Sequence, residues 1–160
     1  MGRGAFVSEN SLHSAIHALQ STSAYHQCLL LVHPSIRRLE QATDEVHTRY
    51  GWLRLCIGLE LSTALLTVPP PQRPWVARQW FETRMRELAP GPLLCSEIDL
   101  LFEPTLDLDP LWLLRHCSRT TALVVVWAGS YQDGVLAYAV PGHAHYRIWR
   151  QPSVTVTVLE

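Results

Sequence analysis

The chain contains no lysine, and all thirteen of its basic residues are arginines. Fourteen acidic residues bring the formal net charge to −1, so nothing at the level of the whole chain indicates a nucleic-acid partner. The absence of lysine also removes one residue that the phosphate-binding loop of nucleotide hydrolases requires. Arginine is always charged and suits phosphate and carboxylate, so any cationic chemistry in this chain belongs to arginine or histidine.

Cysteine is scarce and widely spaced. The four cysteines, Cys28, Cys56, Cys95 and Cys117, form no C-x-x-C pair and no zinc-binding spacing. We therefore expect free, mostly buried thiols and a cytoplasmic protein. No apolar run approaches the length of a membrane span, and the first residues lack the apolar core of a signal peptide, so no membrane association is expected.

The remaining sequence predicts an α/β fold in one domain of residues 1–160. Continuous apolar runs at 27–32, 93–96 and 122–127 are typical of parallel strands that helices cover on both faces. Because helical segments alternate with them, we expect a doubly wound, mostly parallel five-stranded sheet. An N-terminal helix within 1–26 precedes the sheet, and a late β ribbon occupies 129–150.

The boundaries of the other elements follow from periodicity and from proline and glycine breaks. Further strands are predicted at 52–57, 135–140 and 154–159, a turn at 129–134, and helices at 8–24, 35–50, 59–67, 73–89 and 110–118. Ligands of such sheets bind beyond the carboxyl ends of the strands. That rule predicts that residues 33–38, 96–99 and 127–129 lie along one edge.

The loop after the first strand has the position of a phosphate-binding loop but lacks its residues. In the pattern G-x-x-x-x-G-K-[ST], glycines open the backbone amides to phosphate, lysine reaches the outer phosphates and the hydroxyl holds Mg²⁺. The candidate nucleotide-contacting positions are His33, Pro34, Ser35, Ile36, Arg37, Arg38, Leu39 and Glu40. Both glycine positions are filled, and leucine and glutamate replace the lysine and the hydroxyl. Arg37 and Arg38 either substitute for the missing cation or are solvated.

Several stretches together resemble one family. They are residues 29–32, 58–62, 65–66, 72–74, 98–104, 108–114, 118–119, 125–131, 136–139 and 141–147. The most specific are the Trp-x-Gly sequence at 127–129 and the Pro-Gly-His-x-x-Tyr sequence at 141–146. On these residues the chain resembles the BrxF family, the small P-loop-containing components of type 3 BREX phage-defence systems.

The resemblance implies a P-loop NTPase-like fold, an AAA-like core without the usual helical lid, and a role in phage defence beside other BREX-system proteins. It also implies a Mg²⁺-organising acid at the end of the third strand, where this chain has Ser96. Glu97 or Asp99 would replace that acid at a shifted register, as metal ligand and water-orienting base. Arg119 would serve as a sensor or as a finger across a subunit boundary. The alternative for Glu97 and Asp99 is an exposed, non-catalytic loop pair, and for Arg119 it is a charge at a helix C-terminus that offsets the helix dipole.

Three functions remain open at this stage. The first is a pseudo-ATPase that acts as a scaffold or adaptor in a defence complex, with no cofactor. Some of five tryptophans would anchor a partner: Trp75, Trp80, Trp112, Trp127 and Trp149. The second is an ATPase with a non-standard site, which alone would bind ATP and Mg²⁺. The third is a nucleic-acid-binding module, although nothing supports direct DNA contact. A homo-oligomer is also open, and His143 and His145 are too sparse for a metal site.

Overall fold

The computed structural model describes residues 9–21 and 26–160, which form a seven-stranded sheet and five α-helices. The strands are β1 (Cys28–His33), β2 (Leu53–Cys56), β3 (Leu93–Ser96), β4 (Leu123–Gln132), β5 (Val135–Tyr138), β6 (Arg147–Arg150) and β7 (Thr155–Val158). The helices are α1 (Glu9–Ser21), α2 (Ile36–Tyr50), α3 (Ile57–Leu65), α4 (Arg73–Glu87) and α5 (Pro110–Cys117). The rest of the predicted N-terminal segment, residues 1–8 and 22–25, lies outside the described residues.

Five of the strands are parallel, in the order β2-β3-β4-β1-β7. This order differs from both the dinucleotide-binding and the flavodoxin-like orders. The inner strand β1 pairs Leu30 with Val125 of β4 on one side and with Val156 of β7 on the other. An α/β fold with a mostly parallel sheet is thus confirmed.

Helices cover both faces of this sheet because successive residues of β1 point to opposite sides. Leu29 and Leu31 belong to the core that α1 and α2 close. Leu30 and Val32 belong to the core that α3, α4 and α5 close. All four side chains are fully buried, which explains why this strand is a continuous apolar run. The arrangement is compatible with a doubly wound fold.

The sheet has seven strands instead of five because β4 continues to Gln132, into the segment 129–134 that was predicted to be a turn, and so lets β5 and β6 join the sheet. Residues 129–132 of β4 pair with β5 in an antiparallel ladder, and β5 pairs with β6. The actual turn is the two-residue connection of Asp133 and Gly134, which both have positive φ (52° and 75°), as a tight hairpin requires. The predicted late ribbon is present, and β6 is its unpredicted strand.

Candidate functional site

A cleft of about 890 Å³ opens at the carboxyl ends of the parallel strands. It is lined by Pro34, Ile36, Leu39, Glu40, Thr43, Asp44, Arg54, Gly58, Ser62, Ser96, Glu97, Ile98, Asp99, Leu100, Val126, Ala128, Tyr138, Ala139, Val140, His143 and His145. The three predicted edge segments, 33–38, 96–99 and 127–129, all contribute to this lining. The cleft therefore lies where a ligand of an open α/β sheet is expected.

The connection from β1 to α2 is a tight turn of only Pro34 and Ser35. The Ser35 amide donates to Nδ1 of His33 (2.9 Å), and the Ser35 hydroxyl accepts the amide of Arg38 (3.3 Å). Ser35 is thus the N-cap of α2, and the Leu39 amide bonds its carbonyl (3.1 Å). Three amides of this loop, those of Ser35, Arg38 and Leu39, are therefore bonded within the turn and the helix and do not face the cleft as free donors.

The eight predicted nucleotide-contacting residues do not all face the cleft. Four of them line the cleft: Pro34, Ile36, Leu39 and Glu40. Arg37 and Arg38 are not part of the lining, and Arg38 Nε donates instead to the carbonyl of Glu160 (2.7 Å). Leu39, at the lysine position, is 5% exposed and packs in the core beneath α2. The cleft thus receives apolar and acidic groups and the Thr43 side chain from α2, and no arginine.

Glu97, directly after β3, has a strained backbone and an engaged carboxylate. Its φ of 53° lies in the left-handed region, which is uncommon for a residue other than glycine. The Cys56 thiol donates to Glu97 Oε2 (2.7 Å). Gly58 allows the backbone of Glu97 to lie this close to α3, because a Cβ at position 58 would be only 3.1 Å from the Glu97 carbonyl oxygen. Burial and the bond to Glu97 raise the pKa of Cys56, so the thiol remains a donor.

Asp99 lies at the junction of two side chains that come from the late ribbon. Its Oδ1 accepts from the Tyr138 hydroxyl (3.1 Å) and lies 3.0 Å from Nδ1 of His145. The His145 contact lacks hydrogen-bond geometry, so we treat it as electrostatic. Burial, reinforced by the charge of Asp99, raises the pKa of Tyr138 far above its ordinary value. Tyr138 is therefore a hydrogen-bond donor at physiological pH.

His145 also contacts a second carboxylate. Its Nε2 lies 3.1 Å from Oε2 of Glu103, in hydrogen-bond geometry. Burial lowers the pKa of His145, but the contacts to Asp99 and Glu103 outweigh burial, and the net shift is upward. The bond from His145 in turn lowers the pKa of Glu103. The imidazolium form thus ties the loop between β5 and β6 to the turns that follow β3.

Acidic groups outnumber basic ones in the cleft. Of the described residues that line it, four carry carboxylates (Glu40, Asp44, Glu97 and Asp99) and one is an arginine. That arginine, Arg54, pairs with Asp44 at 2.9 Å between Nη1 and Oδ1. The potential in the cleft is consequently unfavourable for a triphosphate. Among the described residues, no group of three or more His, Cys, Asp and Glu side chains has an arrangement that would hold a metal ion.

Two of the three predicted catalytic residues meet in the cleft, and the third does not. Glu97 and Asp99 both line it. Arg119 follows α5 and precedes the first residue of β4, which places it at the amino ends of the strands, on the opposite edge of the sheet. It therefore cannot reach the cleft of its own chain, and a role across a subunit boundary stays a prediction.

Sequence reasoning did not place Tyr138, Glu103 and His145 in the site. The signal was present, because the Pro-Gly-His-x-x-Tyr sequence and Glu103 lie within the stretches that carry the family resemblance. The distance in sequence between these residues and Asp99 gave no indication of contact. They meet only because the ribbon folds back toward the turns that follow β3.

Comparison with known proteins adds no relative: no protein-family model, curated protein or solved structure matches the chain. Within residues 9–21 and 26–160, none of the helices combines the length and apolar character needed to cross a bilayer.

Proposed function

We propose that the protein is a non-hydrolysing scaffold or adaptor of a BREX-type phage-defence complex, built on a degenerate P-loop NTPase-like, AAA-like domain. Its partners would be other BREX-system proteins, and its location the cytoplasm. The resemblance of residues between 29 and 147 to the BrxF family supports the assignment to defence. The four free cysteines support a reducing compartment.

One observation carries the non-hydrolysing part of the proposal: the β1–α2 turn has no room for a phosphate cradle. Two residues connect the strand to the helix, and the lysine position is occupied by the buried Leu39. Phosphoryl transfer depends almost wholly on positioning and electrostatic stabilisation by the loop, the lysine and the metal. A cleft that offers carboxylates in their place does not provide that stabilisation.

Large exposed apolar side chains support a role in protein binding. Trp75 on α4 is 68% exposed, and Leu66, just before the turn that leads into α4, is 76% exposed. Trp112 on α5 is 44% exposed, with the Arg78 guanidinium 5.0 Å from its ring centroid. Trp127, in contrast, is fully buried and serves the core. Exposed tryptophans are frequent anchors of protein interfaces.

A nucleotide titration tests the first part of the proposal. We expect the melting temperature of the purified protein to be the same with and without millimolar ATP and Mg²⁺, because no phosphate cradle exists. A saturable rise that requires Mg²⁺ would contradict the proposal.

That rise would instead favour a second candidate, an ATPase with a non-standard site. The specific observation for this candidate is that Glu97 and Asp99 share one cleft with the β1–α2 turn. If it is correct, the stabilisation by ATP and Mg²⁺ is lost in Glu97→Ala. It persists in Glu87→Ala, which removes an exposed carboxylate from α4.

Co-expression with the other proteins of a type 3 BREX system tests the second part. We expect a stable complex in size-exclusion chromatography, weakened at least about tenfold by Trp75→Ala. The control is Tyr131→Ala, which removes an exposed aromatic ring from β4. No complex with any of these proteins would refute the adaptor role.

A further inference from the structure

A second, smaller pocket lies at the opposite edge of the sheet from the cleft. Its volume is about 160 Å³, and it is lined by His26, Cys28, Arg115, Ser153, Val154 and Thr155. Cys28 begins β1 and Thr155 begins β7, so the pocket faces the amino ends of these neighbouring parallel strands. It shares no residue with the cleft.

Arg115 is the one charged group among the six described residues that line this pocket, histidine counted as neutral. Its Nε is buried and has no hydrogen-bond partner, which is uncommon in a folded protein. No salt bridge within the described residues joins Arg115 to a carboxylate. The positive charge of the guanidinium is therefore not compensated by the lining.

Apart from Val154, the other lining residues carry polar side chains. Burial raises the pKa of Cys28 to about 12 even though the nearby Arg115 lowers it, so the thiol adds no negative charge. The His26 Nδ1–H donates to the carbonyl of Arg115 (2.9 Å), which fixes the imidazole beside the helix end. Ser153 and Thr155 supply hydroxyl groups, which donate readily to anions.

We propose that this pocket binds a small oxyanion, with Arg115 as its principal ligand. Guanidinium groups bind phosphate and carboxylate through paired N–H donors. The pocket has room for an ion of phosphate size together with water, since a water molecule in the liquid takes about 30 Å³. Phosphate and carboxylate share this chemistry, and the experiment distinguishes them.

The test is a titration of the full chain with sodium phosphate and, separately, with sodium acetate, at constant ionic strength maintained with NaCl. Melting temperature and the amide NMR shifts of residues 26–28 and 153–155 are the readouts. We expect saturable binding of at least one anion, and the one that binds more tightly identifies the geometry of the natural oxyanion.

Arg115→Gln separates specific binding from the general stabilisation that phosphate gives by exclusion from protein surfaces. We expect the affinity to fall at least about tenfold in Arg115→Gln, since a charged donor pair is lost. It should be unchanged in Arg150→Gln, which alters the net charge equally on the exposed side of β6. If Arg115→Gln does not fold, Thr155→Val provides the same comparison with a smaller loss.

Absence of saturable binding of either anion would overturn the proposal. Equal stabilisation of the wild type and Arg115→Gln would do the same, because the effect would then not involve the pocket. Chemical-shift changes confined to residues outside 26–28 and 153–155 would likewise place the anion elsewhere.

Discussion

The Nε2 atom of His145 lies 3.1 Å from Oε2 of Glu103, across 42 residues of sequence. The histidine belongs to the loop between β5 and β6, and the glutamate follows the short helical turn after β3. This contact and the 3.0 Å contact between His145 and Asp99 attach the late ribbon to the turns that follow β3, at the edge of the cleft. The stability of this attachment therefore depends on the protonation states of His145 and Glu103.

The first prediction concerns the pH dependence of stability. The pKa of His145 is raised above its ordinary 6.5, so its contribution is complete below 6.5 and is lost as the pH rises through the raised value. The pKa of Glu103 is lowered below its ordinary 4.5, so its contribution is complete above 4.5 and is lost as the pH falls through the lowered value. Both are present between pH 4.5 and 6.5.

Accordingly, His145→Gln should lower the melting temperature most between pH 4.5 and 6.5 and least near pH 9. The control is His17→Gln, on the exposed side of α1, which should have no such pH profile. Thermal unfolding followed by circular dichroism at each pH measures both variants. A deficit of His145→Gln that grows from pH 6 to pH 9 would contradict the assignment.

The second prediction uses the buried position of the residue that replaces the P-loop lysine. Leu39→Lys places an ammonium group in the core of α1, α2 and β1, so we expect a loss of roughly 3 kcal/mol or more in the free energy of unfolding. Ile36→Lys, on the same helix but 66% exposed, should cost less than about 1 kcal/mol. Urea denaturation measures both changes.

A double variant tests the view that the site is degenerate in shape and not only in residue type. The double variant Leu39→Lys, Glu40→Thr restores the lysine and hydroxyl of the P-loop pattern, yet we expect no stabilisation by ATP and Mg²⁺. A gain of nucleotide binding would show that the two-residue turn rearranges into a phosphate cradle.

Much of the fold could be predicted because local signals and burial agree. Asp109 and Pro110 predicted the start of α5, and Asp109 indeed accepts the Trp112 amide at 3.1 Å as its N-cap. Gly51, with φ of 67°, ends α2 at the boundary that the glycine predicted. The apolar run of β1 predicted a parallel strand covered on both faces, and helices indeed cover both faces of β1.

The ribbon could not be predicted to the same extent, because its pairing is set by contacts far apart in sequence. Gly129 suggested a turn, but it is a strand residue whose missing Cβ lets β5 approach. The four residues of β6 alternate between half-buried and exposed, a pattern too short to separate from a loop. The candidate site was predicted incompletely for the same reason. Asp99 could be predicted because it follows β3, whereas His145 comes into contact with Asp99 only through the fold of the ribbon.

The third prediction tests that close approach. A Cβ on Gly129 would lie 1.9 Å from the carbonyl oxygen of Ala137, which also accepts the Trp127 indole N–H at 2.9 Å. Gly129→Ala should therefore separate β4 from β5 and reduce the free energy of unfolding by roughly 2–3 kcal/mol. Ser130→Ala, at the next and exposed position of β4, should stay within about 0.5 kcal/mol of wild type. Equal stability of Gly129→Ala and Ser130→Ala would refute the strand pairing.

The last prediction concerns Cys56, the thiol that donates to Glu97 beside the cleft. Cys28, Cys95 and Cys117 are buried, so in the native protein Cys56 should be the cysteine that reacts first with a thiol reagent such as iodoacetamide. Burial and the bond to Glu97 raise its pKa, which keeps the thiolate fraction low and the reaction slow.

Glu97→Gln removes the negative charge, so the pKa of Cys56 should fall and labelling at pH 7.5 should become several-fold faster. Asp99→Asn removes a carboxylate from the same cleft that does not contact Cys56, and should leave the rate unchanged. Mass spectrometry of the labelled peptide identifies the site, and an unaltered rate in Glu97→Gln would place Glu97 away from Cys56 in solution.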